Sequence, residues 1–365
     1  MEIILSFFTV FMFEIKKIFI LNIVWILFFI YSLIKNKGKF FIEQYYKIYL
    51  YFFIWGLFSI FLYNLFFYKF TLRQILSLIF SIQYLFLAMQ FNLNKNKFFN
   101  WIIKWDVLLS FYIFYKFIIN GYYKSFSYWS GMIRTWGREI PGFPTMIILP
   151  MCFAVFLTFY CKKSIHLSIF LSISTFLIPS RLGQVGILII WLYYLLKKKK
   201  NYKIIAIWII LSILIYLLFM KELNILLSRL LYRYRAGSNA DRYDICFVVY
   251  QYFKGSPIIG YGGNTLDTLV NLIGNYSRFN IIWPHTHNFI LEFLIRYGIV
   301  GVLIFCIYFL KVVKKIAKNT DYMFFIILLL FFAMVQTYMQ NFVYIFIYMS
   351  IICFKEDKKI GENDV

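Results

Sequence analysis

The chain has 365 residues, 62% hydrophobic and 24% aromatic, with a formal net charge of +23 and a mean hydropathy of +0.75. A soluble domain is nearer half apolar, and one water-surrounded core could not hide this much Phe, Ile, Leu and Tyr. A soluble enzyme is excluded, and the basic charge does not indicate nucleic acid: the fold class is an all-α polytopic membrane protein.

Apolar runs bounded by charge fall at about 18–34, 45–63, 71–90, 99–119, 143–161, 165–178, 182–196, 204–220, 288–310, 322–336 and 338–354. They predict 11 transmembrane helices, or 12 if the short run 3–13 also crosses. No cleavable leader is expected, because Glu2 precedes the first apolar run and no basic segment does. The domain division is an N-terminal bundle over 1–220, a polar insert over 221–287, C-terminal helices over 288–354 and a tail over 355–365. The insert lies between the eighth and ninth confident spans.

Lysine sets the orientation. Lys35, Lys37 and Lys39, Lys95 and Lys97, Lys162 and Lys163, Lys197 to Lys200 with Lys203, Lys311, Lys314, Lys315 and Lys318, and Lys355, Lys358 and Lys359 alternate onto one side. The positive-inside rule makes that side cytoplasmic and the insert extracytoplasmic. The 10 arginines behave oppositely and map to the outer loops or the outer halves of spans. An outer arginine set suits an anionic ligand, because guanidinium grips phosphate with a planar fork. The five cysteines are scattered and form no metal spacing or disulfide framework.

Between Lys163 and Lys197 the chain must cross twice in runs of 14 or 15 residues. Each covers roughly 21–23 Å, short of a hydrocarbon core near 30 Å. The turn Pro179-Ser180-Arg181 is therefore expected below the outer surface, with Pro179 ending one helix and Gly183 and Gly186 letting the next pack closely. A recessed charge needs a counter-ion, and a ligand phosphate supplies one; the alternative is that Arg181 snorkels to the headgroups.

In the insert, Ser238-Asn239-Ala240-Asp241 reads as a helix start, and Lys254-Gly255 before Pro257 as its stop. Arg242 then falls in the first turn, where free N–H groups and the helix dipole favour an anion. The glycine-dense stretch Gly255 to Gly263 follows; it brings backbone close to a ligand or makes turns. Trp283-Pro284-His285-Thr286-His287-Asn288 enters the next span. Two His without a third ligand at metal spacing make a poor zinc site, whereas a His at the mouth of a span suits general-base work. Asn288, Glu292 and Arg296 recur every four residues on one helix face, and Glu292 and Arg296 are expected to neutralise one another as structural support.

These motifs in this order resemble the O-antigen ligase and O-antigen polymerase family of membrane glycosyltransferases. The resemblance rests on "PSRLG", on "ADRYDI" opening the insert helix, on "SPIIGYGGN", and on "HNFILEFLIRYGIVG", across about residues 175–305. An earlier loop, "IRTWGREIPGFPTMIILP", is similar too, with Phe143-Pro144 in place of the usual Pro-Asn. The resemblance implies a glycan donor on undecaprenyl pyrophosphate, transferred to an acceptor sugar hydroxyl at the outer face of a bacterial cytoplasmic (inner) membrane. Carried onto this chain, Arg181 and Arg242 hold the pyrophosphate and His287 takes the acceptor's proton. Arg134, Arg138, His285 and Asn288 are expected substrate contacts.

Few acids stand in the insert and only Glu139 in the loop 120–142, so no metal or other cofactor is expected. The expected partners are the lipid-linked oligosaccharide, the glycan acceptor and the bilayer, with a chain-length regulator left open. The motifs do not separate polymerase from ligase; polymerase is favoured because surface-polysaccharide loci commonly carry one. A transporter or flippase of lipid-linked oligosaccharide is the rival of another class. It would show internal repeats and midplane charges, and no repeat is visible here.

Overall fold

A computed structural model of the chain describes residues 2–11, 44–67, 94–119, 147–178, 181–197, 240–264 and 288–335, with Thr286 and a few isolated positions. Among the described residues all regular structure is helical: α1 (Glu2–Phe11), α2 (Gln44–Phe67), α3 (Lys95–Ile119), α4 (Ile148–Tyr160), α5 (Ile165–Leu177), α6 (Arg181–Lys197), α7 (Ala240–Gly255), α8 (Phe289–Ile316) and α9 (Thr320–Val335). The expected spans 204–220 and 338–354, and most of 18–34 and 71–90, lie outside the described residues.

Local chemistry sets the helix ends. Asn94 starts α3 by accepting the Lys97 N–H on Oδ1 at 2.8 Å. α5 stops at Leu177 because Ile178 takes an extended ψ of 127°, as residues before proline do. The expected short pair is short: α5 has 13 residues and α6 has 17. α6 begins at Arg181 itself, one residue earlier than its apolar run. α7 begins at Ala240, two residues after Ser238, so Asn239, an equally good cap type, immediately precedes it.

Burial separates the helices into lipid-facing and central ones. Leu50, Ile54, Phe58, Phe61 and Leu65 form an exposed apolar stripe on α2, and Ile299, Leu303, Ile307 and Leu310 form another on α8. Exposed apolar stripes at helical spacing suit a hydrocarbon solvent. α8, 28 residues long with a hydropathy of 2.3 over its best window, is the one helix among the described residues long and apolar enough for a membrane crossing. α4 has no exposed face at all: every residue from Ile148 to Thr158 is buried.

Around α4 pack α3, α5, α6 and α9. Hydroxyls and small residues make these contacts, as expected where apolar burial alone gives helices no preference for one another. The Ser110 and Ser174 hydroxyls pair at 2.8 Å between α3 and α5, Thr158 and Ser168 at 2.7 Å between α4 and α5, and Trp191 Nε1 donates to Ser172 Oγ at 2.9 Å between α6 and α5. A Cβ on Gly186 would stand 3.3 Å from the Cys152 sulfur of α4 and 2.5 Å from the Phe332 ring of α9.

These contacts fix the two ends of the bundle. The Tyr322 hydroxyl donates to that of Tyr160 at 2.6 Å, Lys95 Nζ lies 4.2 Å from the Tyr322 ring centre, and Lys197 bridges to Asp321 at 2.5 Å. The starts of α3 and α9 and the ends of α4 and α6 therefore share one end. Chain direction brings Lys162, Lys163, Lys311, Lys314 and Lys315 to it as well. The opposite end receives the starts of α6 and α8, the ends of α2 and α9, and α7, which packs on α8.

Candidate active site

The insert is sewn into the membrane helices at the lysine-poor end. α8 is not the continuous span its hydropathy predicts. Gly298 takes φ 65° and ψ −171° and breaks the helix there. Such a break at membrane depth frees main-chain groups that lipid cannot satisfy, so protein must cover them. The glycine-dense loop 256–264 does so. The Tyr261 N–H donates to the Ile295 carbonyl at 2.8 Å, the Gly263 N–H to the Arg296 carbonyl at 3.0 Å, and the Ile299 N–H to the Pro257 carbonyl at 2.9 Å.

α2 closes the remaining positions. Trp55 Nε1 donates to the Tyr297 carbonyl at 2.9 Å, and the Ser59 hydroxyl to the Ile259 carbonyl at 2.9 Å. The approach is possible only without side chains: a Cβ on Gly260 would sit 2.5 Å from the Gly298 nitrogen. The stretch does make turns, with the Asn264 N–H donating to the Tyr261 carbonyl at 3.1 Å, and its glycines also admit a second main chain.

Beneath the loop, Tyr63, Ile245, Val248, Val249, Tyr252, Tyr261, Leu266, Leu269 and Ile295 form a second apolar core, distinct from the one around α4. The Tyr261 hydroxyl donates to the Tyr252 carbonyl at 2.8 Å and ties the loop to α7. α7 is thereby held against α2 and the first turns of α8, with Arg242 as its third residue.

The start of α8 is built around a buried ion pair. Arg296 Nε donates to Glu292 Oε1 at 3.0 Å, and Nη2 lies 3.0 Å from the same oxygen. Glu292 is 1% exposed and Arg296 8%. The second carboxylate oxygen accepts the Thr286 hydroxyl at 3.0 Å. Asn288 is the N-cap: its Oδ1 accepts from the Ile290 N–H at 2.9 Å and from the Leu291 N–H at 3.1 Å. The cap uses the amide oxygen of this expected substrate contact.

His287 stands between Thr286 and Asn288, both fixed to α8. His287 itself, with His285, Arg134 and Arg138, lies outside the described residues. Arg181 and Arg242 are placed by their backbones as the first residue of α6 and the third of α7; their side chains lie outside what the structure describes. Among the described residues no group of three His, Cys, Asp or Glu converges as metal ligands do.

Two residues here were not singled out by the sequence. Thr286 had a signal, a hydroxyl between two histidines and six residues before Glu292. Gly298 had a weaker one, since a glycine inside an apolar span reads first as a packing position.

A family model described as O-antigen ligase matches residues 166–306. The matched stretch runs from the start of α5 to the second half of α8 and includes the short pair α5 and α6, the insert and the broken helix. No curated protein matches the chain.

Proposed function

With an O-antigen ligase domain over residues 166–306 as premise, we propose that the chain is a surface-polysaccharide polymerase. It would transfer a glycan from undecaprenyl pyrophosphate to an acceptor sugar hydroxyl at the outer face of a bacterial cytoplasmic membrane. The observation that carries the proposal is the gathering of α6, α7 and the start of α8 at the lysine-poor end of the bundle. Arg181 is the first residue of α6, Arg242 the third of α7, and His287 immediately precedes the Asn288 cap of α8.

In the reaction, the acceptor hydroxyl oxygen attacks the anomeric carbon and His287 takes its proton. The bond from that carbon to the pyrophosphate oxygen breaks, and undecaprenyl pyrophosphate leaves with the electron pair. Arg181 and Arg242, each in the first turn of a helix, stabilise the negative charge that builds on the leaving group. Arginine at both positions supplies this charge without a metal ion. Glu292, Arg296, Thr286 and Asn288 hold the mouth of α8, and so the backbone on either side of His287. Arg134, Arg138 and His285 are proposed contacts to donor or acceptor.

The test is reconstitution of the purified protein with a lipid-linked repeat unit. Arg181→Ala, Arg242→Ala and His287→Ala are each expected to lower elongation by at least about 10²-fold with expression intact. Wild-type elongation in all three sinks the assignment, and so does a topology reporter that places 221–287 on the lysine side. The second reading is a ligase, favoured by the description of the matching family. A single transfer to lipid A-core, with no ladder of lengthening products, would select it.

A further inference from the structure

At the lysine-rich end, away from the proposed active site, the helix ends enclose a cavity of about 400 Å³, within the ~300–1,000 Å³ of small-ligand sites. Its floor is aromatic: Phe159 of α4 stacks on Tyr194 of α6 with ring centres 4.0 Å apart. Its rim carries Lys162, Lys163, Lys197 and Asp321. Three positive charges face one negative one, and the negative one is committed. Both Asp321 oxygens accept from Lys197, at 2.5 and 2.6 Å, and Oδ1 also accepts the Tyr193 hydroxyl at 2.8 Å. Among the described residues lining the cavity, no second acid faces Lys162 and Lys163.

The turn that carries them is pinned. The Lys162 N–H donates to the Phe159 carbonyl at 3.1 Å and the Lys163 N–H to the Thr158 carbonyl at 2.8 Å. Lys162 closes the helix at φ 51°, a left-handed position where glycine is the usual occupant. A lysine there accepts backbone strain and fixes the point from which its flexible stem carries the charge. One flank of the cavity is apolar and open: Ile165 of α5 lines it and is exposed. A ligand seated here has an anionic head among lysines and greasy parts along the outside of α5.

We propose that this cavity binds the phosphate headgroup of an anionic phospholipid from the leaflet that surrounds the lysine-rich end. Lys162 and Lys163 hold the phosphate, the aromatic floor meets the glycerol region, and the acyl chains leave past Ile165. Basic clefts between helix ends at a membrane surface suit such headgroups. The proposal rests on the membrane placement of the helices and on neither the glycosyl transfer nor the orientation, so failure of the reaction scheme leaves it standing.

The test uses the full-length protein in a neutral detergent and native mass spectrometry, with phosphatidylglycerol and phosphatidylcholine of identical acyl chains. One phosphatidylglycerol is expected to be retained in preference to phosphatidylcholine. Lys162→Gln/Lys163→Gln is expected to weaken it about thirtyfold, and either single change about fivefold. Lys314→Gln/Lys315→Gln on α8 removes the same charge at the same end outside the cavity and is expected to leave binding unchanged. Lys162→Gly separates charge from folding, since glycine suits the turn: unfolding temperature holds or rises while lipid retention falls. Equal losses in the α8 control, no loss in the turn variants, or equal binding of phosphatidylcholine overturns the proposal. Displacement of the lipid by millimolar inorganic phosphate would assign the cavity to a soluble anion and overturn the lipid.

Discussion

Gly260 and Gly298 meet main chain to main chain, so closely that a Cβ on Gly260 would stand 2.5 Å from the Gly298 nitrogen. Both have positive φ, 75° and 65°, where an L side chain costs about 1–2 kcal/mol before any overlap is counted. Gly298→Ala and Gly260→Ala are each expected to destabilise by about 2–5 kcal/mol, the backbone cost and overpacking together. Thermal unfolding in detergent measures this. A wild-type melting temperature in either variant would show that the loop does not dock on the break.

The Glu292–Arg296 pair should behave as a buried unit. Arg296→Met strands a carboxylate that is 1% exposed, and a loss of about 3–5 kcal/mol is expected. Glu292→Gln/Arg296→Met removes both charges and should recover part of that loss, giving a coupling energy in a double-mutant cycle. Additive effects would mean the two charges do not support one another. Thr286→Val is expected to cost about 0.5–1.5 kcal/mol and to lower turnover further, because Thr286 adjoins His287.

Asp106 lies in the middle of α3, fully buried, and among the described residues neither carboxyl oxygen has a hydrogen-bond partner. Leucine has the same branched heavy-atom skeleton and no polar atoms. Asp106→Leu should therefore raise stability by about 1–3 kcal/mol, the cost of an unsatisfied buried group. A lower melting temperature would mean that the carboxyl contributes an interaction the hydrogen-bond geometry does not register.

Arg181→Lys keeps the charge and removes the fork. If Arg181 grips the pyrophosphate through two parallel hydrogen bonds, elongation falls nearly as far as in Arg181→Ala. Full activity in the lysine variant reduces the role of Arg181 to that of a point charge.

A general base must be neutral to take a proton. kcat/KM of the reconstituted enzyme should thus show an acid limb. The residual activity of His287→Gln should be flat there. An acid limb that persists in His287→Gln would assign the titration to another group.

Much of the helix pattern is legible in the amino-acid order. The short pair α5 and α6 shows in two short apolar runs, and Gly183 and Gly186 announce a close contact that the structure places against Ile148, Cys152 and Phe332. Two things are not legible. α4 is buried on all sides while α2 carries a lipid stripe, yet both read as apolar, because lipid tails and a protein core select the same side chains. The break in α8 is hidden for another reason. "FILEFLIRYGIVG" has the hydropathy of an unbroken span, and the groups that allow the break are the loop 257–263 and Trp55 of α2, one about forty residues away and the other about 240. Of the candidate site, the sequence marks the charged pair but not Thr286, whose role depends on the chain folding back onto Glu292.

The loop that covers the broken helix also precedes it in translation. Residues 257–263 have already been synthesised when Gly298 emerges, so the hydrogen bonds for the Ile295, Arg296 and Ile299 main chain are waiting at the membrane surface. α8 can leave the insertion machinery with its interruption clothed instead of exposing bare amides to hydrocarbon. A circular permutation that moved 257–263 after α8 would keep every contact of the finished fold and remove that order of assembly. Such a protein would suffer in membrane insertion, not in the stability of whatever fraction inserts.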